Sequence, residues 1–159
     1  MLLRILVEVL GARGRSRVGQ VRRRAADRGR RHDSQSIETS PEYPASYTQG
    51  NILTVAAIDD TGALASFSNY GSKSVDLAAP GDEVFSTYPT SKYKLLSGTS
   101  MAAPMVAATA AMLHAQDSHL TYSEIRSAIK ASVVPDAALA GKTVTGGLLN
   151  LDGALQQAG

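Results

Sequence analysis

The chain reads as an α/β protein, and three features carry that reading. Asn51–Ile58 (NILTVAAI) is a short apolar run rich in β-formers, the pattern of a buried strand. Ser100–Ala115 is alanine-rich, with His114 its one titratable residue, and a helix apolar on nearly all sides is expected to be a buried one. Thr121 and Glu124 form a T-x-x-E capping box ahead of a second helix, about Tyr122 to Ser132. There Ile125, Ala128 and Ile129 make an apolar stripe, with Arg126 and Lys130 on another face.

The remaining segments fall into place around these. Ser40-Pro41-Glu42-Tyr43-Pro44 is loop-like. Asp59-Asp60-Thr61-Gly62 is a turn, and Ala63–Ser68 is compatible with either a strand or an extended loop. Val75–Ala79 reads as a strand stopped by Pro80-Gly81. Asp82–Tyr88 alternates, with Val84 and Ser86 on one face and Phe85 and Thr87 on the other, and Tyr93–Leu96 supplies one side of a hairpin. Pro104 falls in the first turn of the alanine-rich helix, where its missing N–H is tolerated. Gly146-Gly147 and then Leu148–Leu155 predict a short strand turning into a final helix. There is no internal repeat.

Composition sets further bounds. The 159 residues suffice for one modest domain. With no cysteine, disulfides, zinc–thiolate sites and thiol catalysis are excluded. No apolar run reaches the roughly 18 residues of a membrane-spanning helix, so no membrane partner is expected. The net charge of +2 conceals a division. Residues 1–31 hold ten arginines against Glu8 and Asp27, whereas residues 32–159 hold six Lys or Arg against twelve Asp or Glu.

Residues 1–32 form a basic, arginine-rich segment. Arg4 and Glu8 interrupt the apolar start, and no Ala-x-Ala-like site follows it, so a secretory signal is not expected. The stretch 11–31 lacks the apolar residues that offset ordering entropy, the composition of a solvated, disordered arm. Arg22, Arg23 and Arg24 could contact phosphates, but no aromatic residue precedes Tyr43 to stack on bases, which argues against nucleic acid.

The chemistry concentrates at Leu96-Ser97-Gly98-Thr99-Ser100-Met101-Ala102-Ala103-Pro104. Gly98 permits a tight backbone entry, and Ser100 then lies in the first turn of the helix. Unpaired N–H groups and the positive end of the helix dipole would stabilise an oxyanion there. On composition alone, an N-cap serine or threonine accounts for the same pattern.

GTSMAAP at 98–104 resembles the nucleophile signature of the subtilisin-like serine proteases. Further segments resemble that family in order: YPASY (43–47), VAAID (55–59), ASFSNYG (65–71), DLAAPG (76–81) and GLLN (147–150). The resemblance runs from about residue 33 to 157, so residues 33–159 are read as the C-terminal part of a subtilisin-like peptidase domain. It implies a partial subtilisin-like fold, a mainly parallel sheet flanked by helices with only the C-terminal half represented. An unpaired sheet edge and an exposed apolar face would follow. It implies a cis Tyr43–Pro44 bond and Ser100 as the nucleophile of peptide-bond hydrolysis. Met105 stands where the family often has a histidine, which is not the catalytic base. Ala45, Tyr47 and Asp76 match positions that hold a monovalent or calcium ion in some members. One carboxylate with carbonyls makes a weak oxygen site, so neither metal nor cofactor is assigned.

The resemblance also implies a base histidine, an aspartate and an oxyanion asparagine, all upstream of the serine. No HGTH-like string exists, and the only histidines are His32, His114 and His119. If Ser100 opens the helix, His114 lies roughly 21 Å along it at ~1.5 Å per residue, far beyond proton-transfer reach. His32 takes the asparagine's place. Asp60-Thr61-Gly62 copies an aspartate motif but sits at a variable turn; read as an aspartic-protease loop, a single copy would need a homodimer. Residues 1–32 have the composition of GC-rich DNA read out of frame, an idea that a resequenced locus with no HGTH or AAGN remnant in another frame would exclude. The expected function is thus a serine endopeptidase fragment acting on protein or peptide, inactive alone unless another chain supplies the missing Asp and His. The alternative is a pseudoprotease or a basic-armed binding module. Secretion is implied by the family only.

Overall fold

All seven residues of Ile52–Ile58 are buried, which is why this run is apolar on both faces except at Thr54. A computed structural model describes residues 4–6, 34–41, 45–47 and 49–158. The Tyr43–Pro44 bond, His32 and the stretch 11–31 lie outside these residues. In chain order the elements are strands β1 (Arg4–Leu6), β2 (Ile52–Ile58), β3 (Leu77–Pro80), β4 (Val84–Tyr88) and β5 (Lys92–Leu96), then helices α1 (Thr99–Gln116) and α2 (Tyr122–Ala131). Strand β6 (Val134–Pro135), a 3-10 turn (Ala137–Leu139), strand β7 (Gly147–Leu148) and helix α3 (Leu151–Gln157) complete the chain.

Five strands form one sheet in the order β1-β2-β3-β7-β6, and β4 and β5 form a separate hairpin. The β2–β3 and β3–β7 pairs are parallel, whereas β1 and β6 run antiparallel at the two margins. This is the α/β architecture expected, with a parallel centre.

Alternation along β2 divides the core between its two faces. Leu53, Val55 and Ala57 pack with Leu77 and Ala79 against Ala102, Val106, Ala110 and Leu113 of α1 and Ile125 and Ile129 of α2. Ala56 and Ile58 pack with Ala78 on the opposite side, against Ile37, Val75 and Leu139. Helix α2 starts as its sequence predicts. Thr121 accepts from the Glu124 N–H at 3.3 Å, and Glu124 accepts from the Thr121 N–H at 2.7 Å. Asn150 caps α3 by accepting from the Gly153 N–H at 3.0 Å.

Two expectations are corrected. The sheet edge expected to be open is occupied: Arg4–Leu6 pairs with Ile52–Thr54. Further along, the Ala63–Ser68 segment is a loop that folds back onto the same edge. The Ala65 N–H donates to the Ala57 carbonyl at 2.9 Å, and the Ala57 N–H donates to the buried Ser68 hydroxyl at 2.9 Å. A side-chain oxygen here completes a strand that has run out of partners. The second correction concerns α1, which is buried on one side only. Thr99, Ala102, Ala103, Val106, Thr109, Ala110 and Leu113 are buried, while Pro104, Met105, Ala108, Ala111, Met112 and Ala115 are exposed. Alanine is apolar whichever way it points, so the sequence could not tell a one-sided helix from an enclosed one. The exposed face itself agrees with the expectation drawn from the resemblance. Among the described residues, no helix is long and apolar enough to cross a membrane.

Candidate active site

Two glycines set the approach to Ser100. Gly98 has φ 156° and ψ 159°, a combination open essentially to glycine alone. Gly81, just after β3, accepts from the Gly98 N–H at 2.7 Å. A Cβ on Gly81 would stand 2.7 Å from the Ala57 Cβ and 2.9 Å from the Gly98 carbonyl oxygen, so this approach has no room for a side chain. The hairpin is tied into the same turn, since the Glu83 N–H donates to the Ser97 hydroxyl at 3.0 Å.

Helix α1 begins directly after Gly98, with Thr99 buried and Ser100 half-buried in its first turn. The N-cap position falls on Gly98, with Thr99 and Ser100 already inside the helix, so neither hydroxyl residue occupies the capping position that the N-cap account gives them. Nor does Thr99 act as a cap: its Oγ1 is buried without a hydrogen-bond partner. The Met101 and Ala102 N–H groups turn inward to the Gly98 carbonyl at 2.9 and 3.4 Å. The earlier N–H groups have no intrahelical acceptor, and no acidic residue lies in the first turn to offset the helix dipole. The arrangement combines a hydroxyl with a site that favours developing negative charge.

No histidine joins it among the described residues. His114 is in the last turn of α1, its Nδ1 buried without a partner. His119 follows that helix, its backbone N–H bonded to Asp117 at 2.8 Å. Asp60-Thr61-Gly62 forms the turn expected of it, organised by Asp59. That carboxylate accepts from the Thr61 hydroxyl at 2.6 Å and from the Thr61 and Ala63 N–H groups at 2.9 and 3.1 Å. The Thr61 hydroxyl above all, with the two N–H groups, holds Asp59 below its ordinary pKa.

Asp76 is not free to hold an ion. Its Oδ1 receives Arg126 Nη2 at 2.9 Å and Lys130 Nζ at 2.8 Å, and its Oδ2 accepts from the Thr54 N–H at 2.9 Å. The Ala45 carbonyl accepts from the Thr54 hydroxyl at 3.1 Å. Two side-chain cations already face this carboxylate, so these groups do not fit a bound metal ion. The sequence did carry a signal for this cluster, in Arg126 and Lys130 spaced to share one face of α2.

The family model described as Subtilase family matches residues 24–154. The chain belongs to the subtilase family. The match starts within the arginine-rich segment, earlier than residue 33. Thermitase from Thermoactinomyces vulgaris is 51% identical over 92 residues, covering 58% of this subtilase chain and 31% of thermitase. Subtilisin DY from Bacillus licheniformis is 37% identical over 116 residues, covering 72% of the chain and 40% of the relative. The solved structure of the subtilase cytotoxin SubAB assembly shares the fold, with a TM-score of 0.66 and 24% identity over 73% of this chain and 42% of that one. This subtilase chain therefore matches only between 31% and 42% of the length of these relatives.

Proposed function

We propose that Ser100 is the nucleophile of a subtilase serine endopeptidase, and that this chain provides the nucleophile-bearing part of its catalytic domain. The observation that carries the reading is the placement of Ser100. It stands in the first turn of α1, behind a glycine-only conformation, where unpaired N–H groups meet the developing oxyanion. The hydroxyl oxygen attacks the carbonyl carbon of a peptide bond while a general base takes its proton. The proton passes to the leaving amine, and water then hydrolyses the ester left on Ser100. Family membership supports a protein or peptide substrate. The base and the aspartate that orients it come from a part of the fold outside this chain, or from a complementing chain.

The absence of a histidine near Ser100 among the described residues favours a second reading, a non-catalytic family member. One experiment separates the two. The chain alone is expected neither to hydrolyse casein above a Ser100→Ala control nor to react with a fluorophosphonate probe. Fused behind the part of thermitase that precedes the matched region, it is expected to become labelled on Ser100. Labelling that persists in Ser100→Ala, or a soluble folded fusion that stays unlabelled, would overturn the assignment.

A further inference from the structure

Strands β4 and β5 carry two different surfaces on one ribbon. The register pairs Phe85 with Leu95 and Thr87 with Tyr93, so these four residues share one face. Phe85, Leu95 and Tyr93 are 67%, 58% and 63% exposed, and the Phe85 and Tyr93 rings stack with centroids 5.4 Å apart. The other face pairs Ser86 with Lys94 and Tyr88 with Lys92, all exposed, with Lys94 Nζ 4.5 Å from the centre of the Tyr88 ring. Half-buried Val84 and Leu96 root the ribbon in the body of the protein. Residues 84–96 hold no acidic residue, although residues 32–159 hold six Lys or Arg against twelve Asp or Glu. Among the described residues neither Lys92 nor Lys94 has an ion-pair partner, and no strand but β4 pairs with β5. The outer edge of β5 therefore offers backbone groups with an apolar face on one side and positive charge on the other.

We infer that the outer edge of β5 is a recognition edge for an extended polypeptide in which large apolar and acidic residues alternate. A strand added to this edge continues the pleat, so its side chains fall by turns on the two faces of the ribbon. Those on the first face meet Tyr93 and Leu95, with Phe85 behind them. Those on the second meet Lys92 and Lys94. Cross-strand pairing thus selects apolar residues at one parity and Asp or Glu at the other. Strand β5 ends at Leu96, and Ser97 and Gly98 then lead into the turn of Ser100. That the bound polypeptide is the substrate rests on the reading of Ser100 above; that it binds does not. The chemistry of the edge disfavours two other occupants. A second copy paired along it would bring one lysine-bearing strand against another. A membrane surface calls for large apolar residues at the tip, whereas the tip is Pro89-Thr90-Ser91.

The test is fluorescence anisotropy of a short labelled peptide alternating Phe or Val with Glu, titrated with the full chain. Saturable binding is expected, weakening as salt is raised. The same residues sorted into an apolar block and an acidic block should bind at least about tenfold more weakly, and so should the alternating peptide N-methylated at every second backbone amide. Lys92→Glu with Lys94→Glu should also lose at least about tenfold in affinity for the Glu peptide, and should gain binding to a peptide alternating Phe or Val with Lys. That gain shows the variant to be folded. Ser100→Ala should bind the Glu peptide like wild type, so recognition and nucleophile fail separately. No saturable binding, equal binding of the sorted peptide, or a charge reversal without effect would overturn the inference. So would shielding of Leu95→Cys from maleimide by self-association of the chain or by phosphatidylserine vesicles, with none by the peptide.

Discussion

The Gly98 N–H donates to the Gly81 carbonyl at 2.7 Å, and this bond joins the end of β3 to the turn that carries Ser100. Both residues must be glycine for different reasons, backbone conformation at Gly98 and close approach at Gly81. A methyl on Gly81 would displace Ala57, Gly98 and Ala102 together. Gly81→Ala is expected to cost about 1–3 kcal/mol, as overpacking does, and to lower the melting midpoint by several degrees. An unchanged midpoint would mean that β2 and α1 can part here freely.

Asp76 tests the joint between α2 and the sheet. Removing it leaves two cations and the Thr54 N–H without their shared acceptor. Asp76→Ala is expected to destabilise by about 1–3 kcal/mol in urea unfolding, chiefly through the buried Thr54 N–H left without an acceptor. Lys130→Met should cost much less, because Arg126 still neutralises the carboxylate. Equal losses would show that Arg126 contributes nothing by itself.

The hairpin loop holds a removable strain. Thr90 and Ser91 have φ 68° and 57°, in the left-handed region that a β-branched threonine avoids. Thr90→Gly is expected to relieve about 1 kcal/mol of backbone strain. Hydrogen exchange at the β4 and β5 amides should slow relative to that in α2. Faster exchange would show that the Thr90 side chain holds the loop.

Acid should weaken the start of α2. The Thr121 backbone N–H, and next its hydroxyl, hold Glu124 below its ordinary pKa. A carboxyl whose pKa is depressed by folding adds stability that is complete above its unfolded pKa, about 4.3, and is lost as pH falls through the folded value. Glu124→Gln keeps an acceptor for the Thr121 N–H without the charge. Wild type should therefore exceed Glu124→Gln in melting temperature at neutral pH, and the gap should close towards about pH 3. A gap independent of pH would exclude the carboxylate as its source.

Local patterns carried much of this structure in plain view. The apolar, β-former-rich run at 51–58 marked β2, T-x-x-E marked the start of α2, and GTSMAAP marked the turn at Ser100. What stayed hidden depended on long-range partners. Asp76 matched a position that holds an ion in some relatives, and nothing local announced that Arg126 and Lys130 would meet it from α2. Arg4 looked like an interruption in an apolar start, yet it lies in a strand paired across to Thr54. No property of Ser68 by itself announces that its hydroxyl would receive the Ala57 N–H. The upstream elements of the site are not written in this sequence in recognisable form.

That Ser68 contact also bears on how the molecule behaves in a crowd. A strand margin with free N–H and carbonyl groups recruits strands from neighbouring molecules, the first step toward fibrils. At Ala57 the N–H is taken by Ser68 and the carbonyl by Ala65, so the growing end is plugged from within the chain. One hydroxyl oxygen thereby denies an incoming strand its hydrogen bond at this residue of the margin.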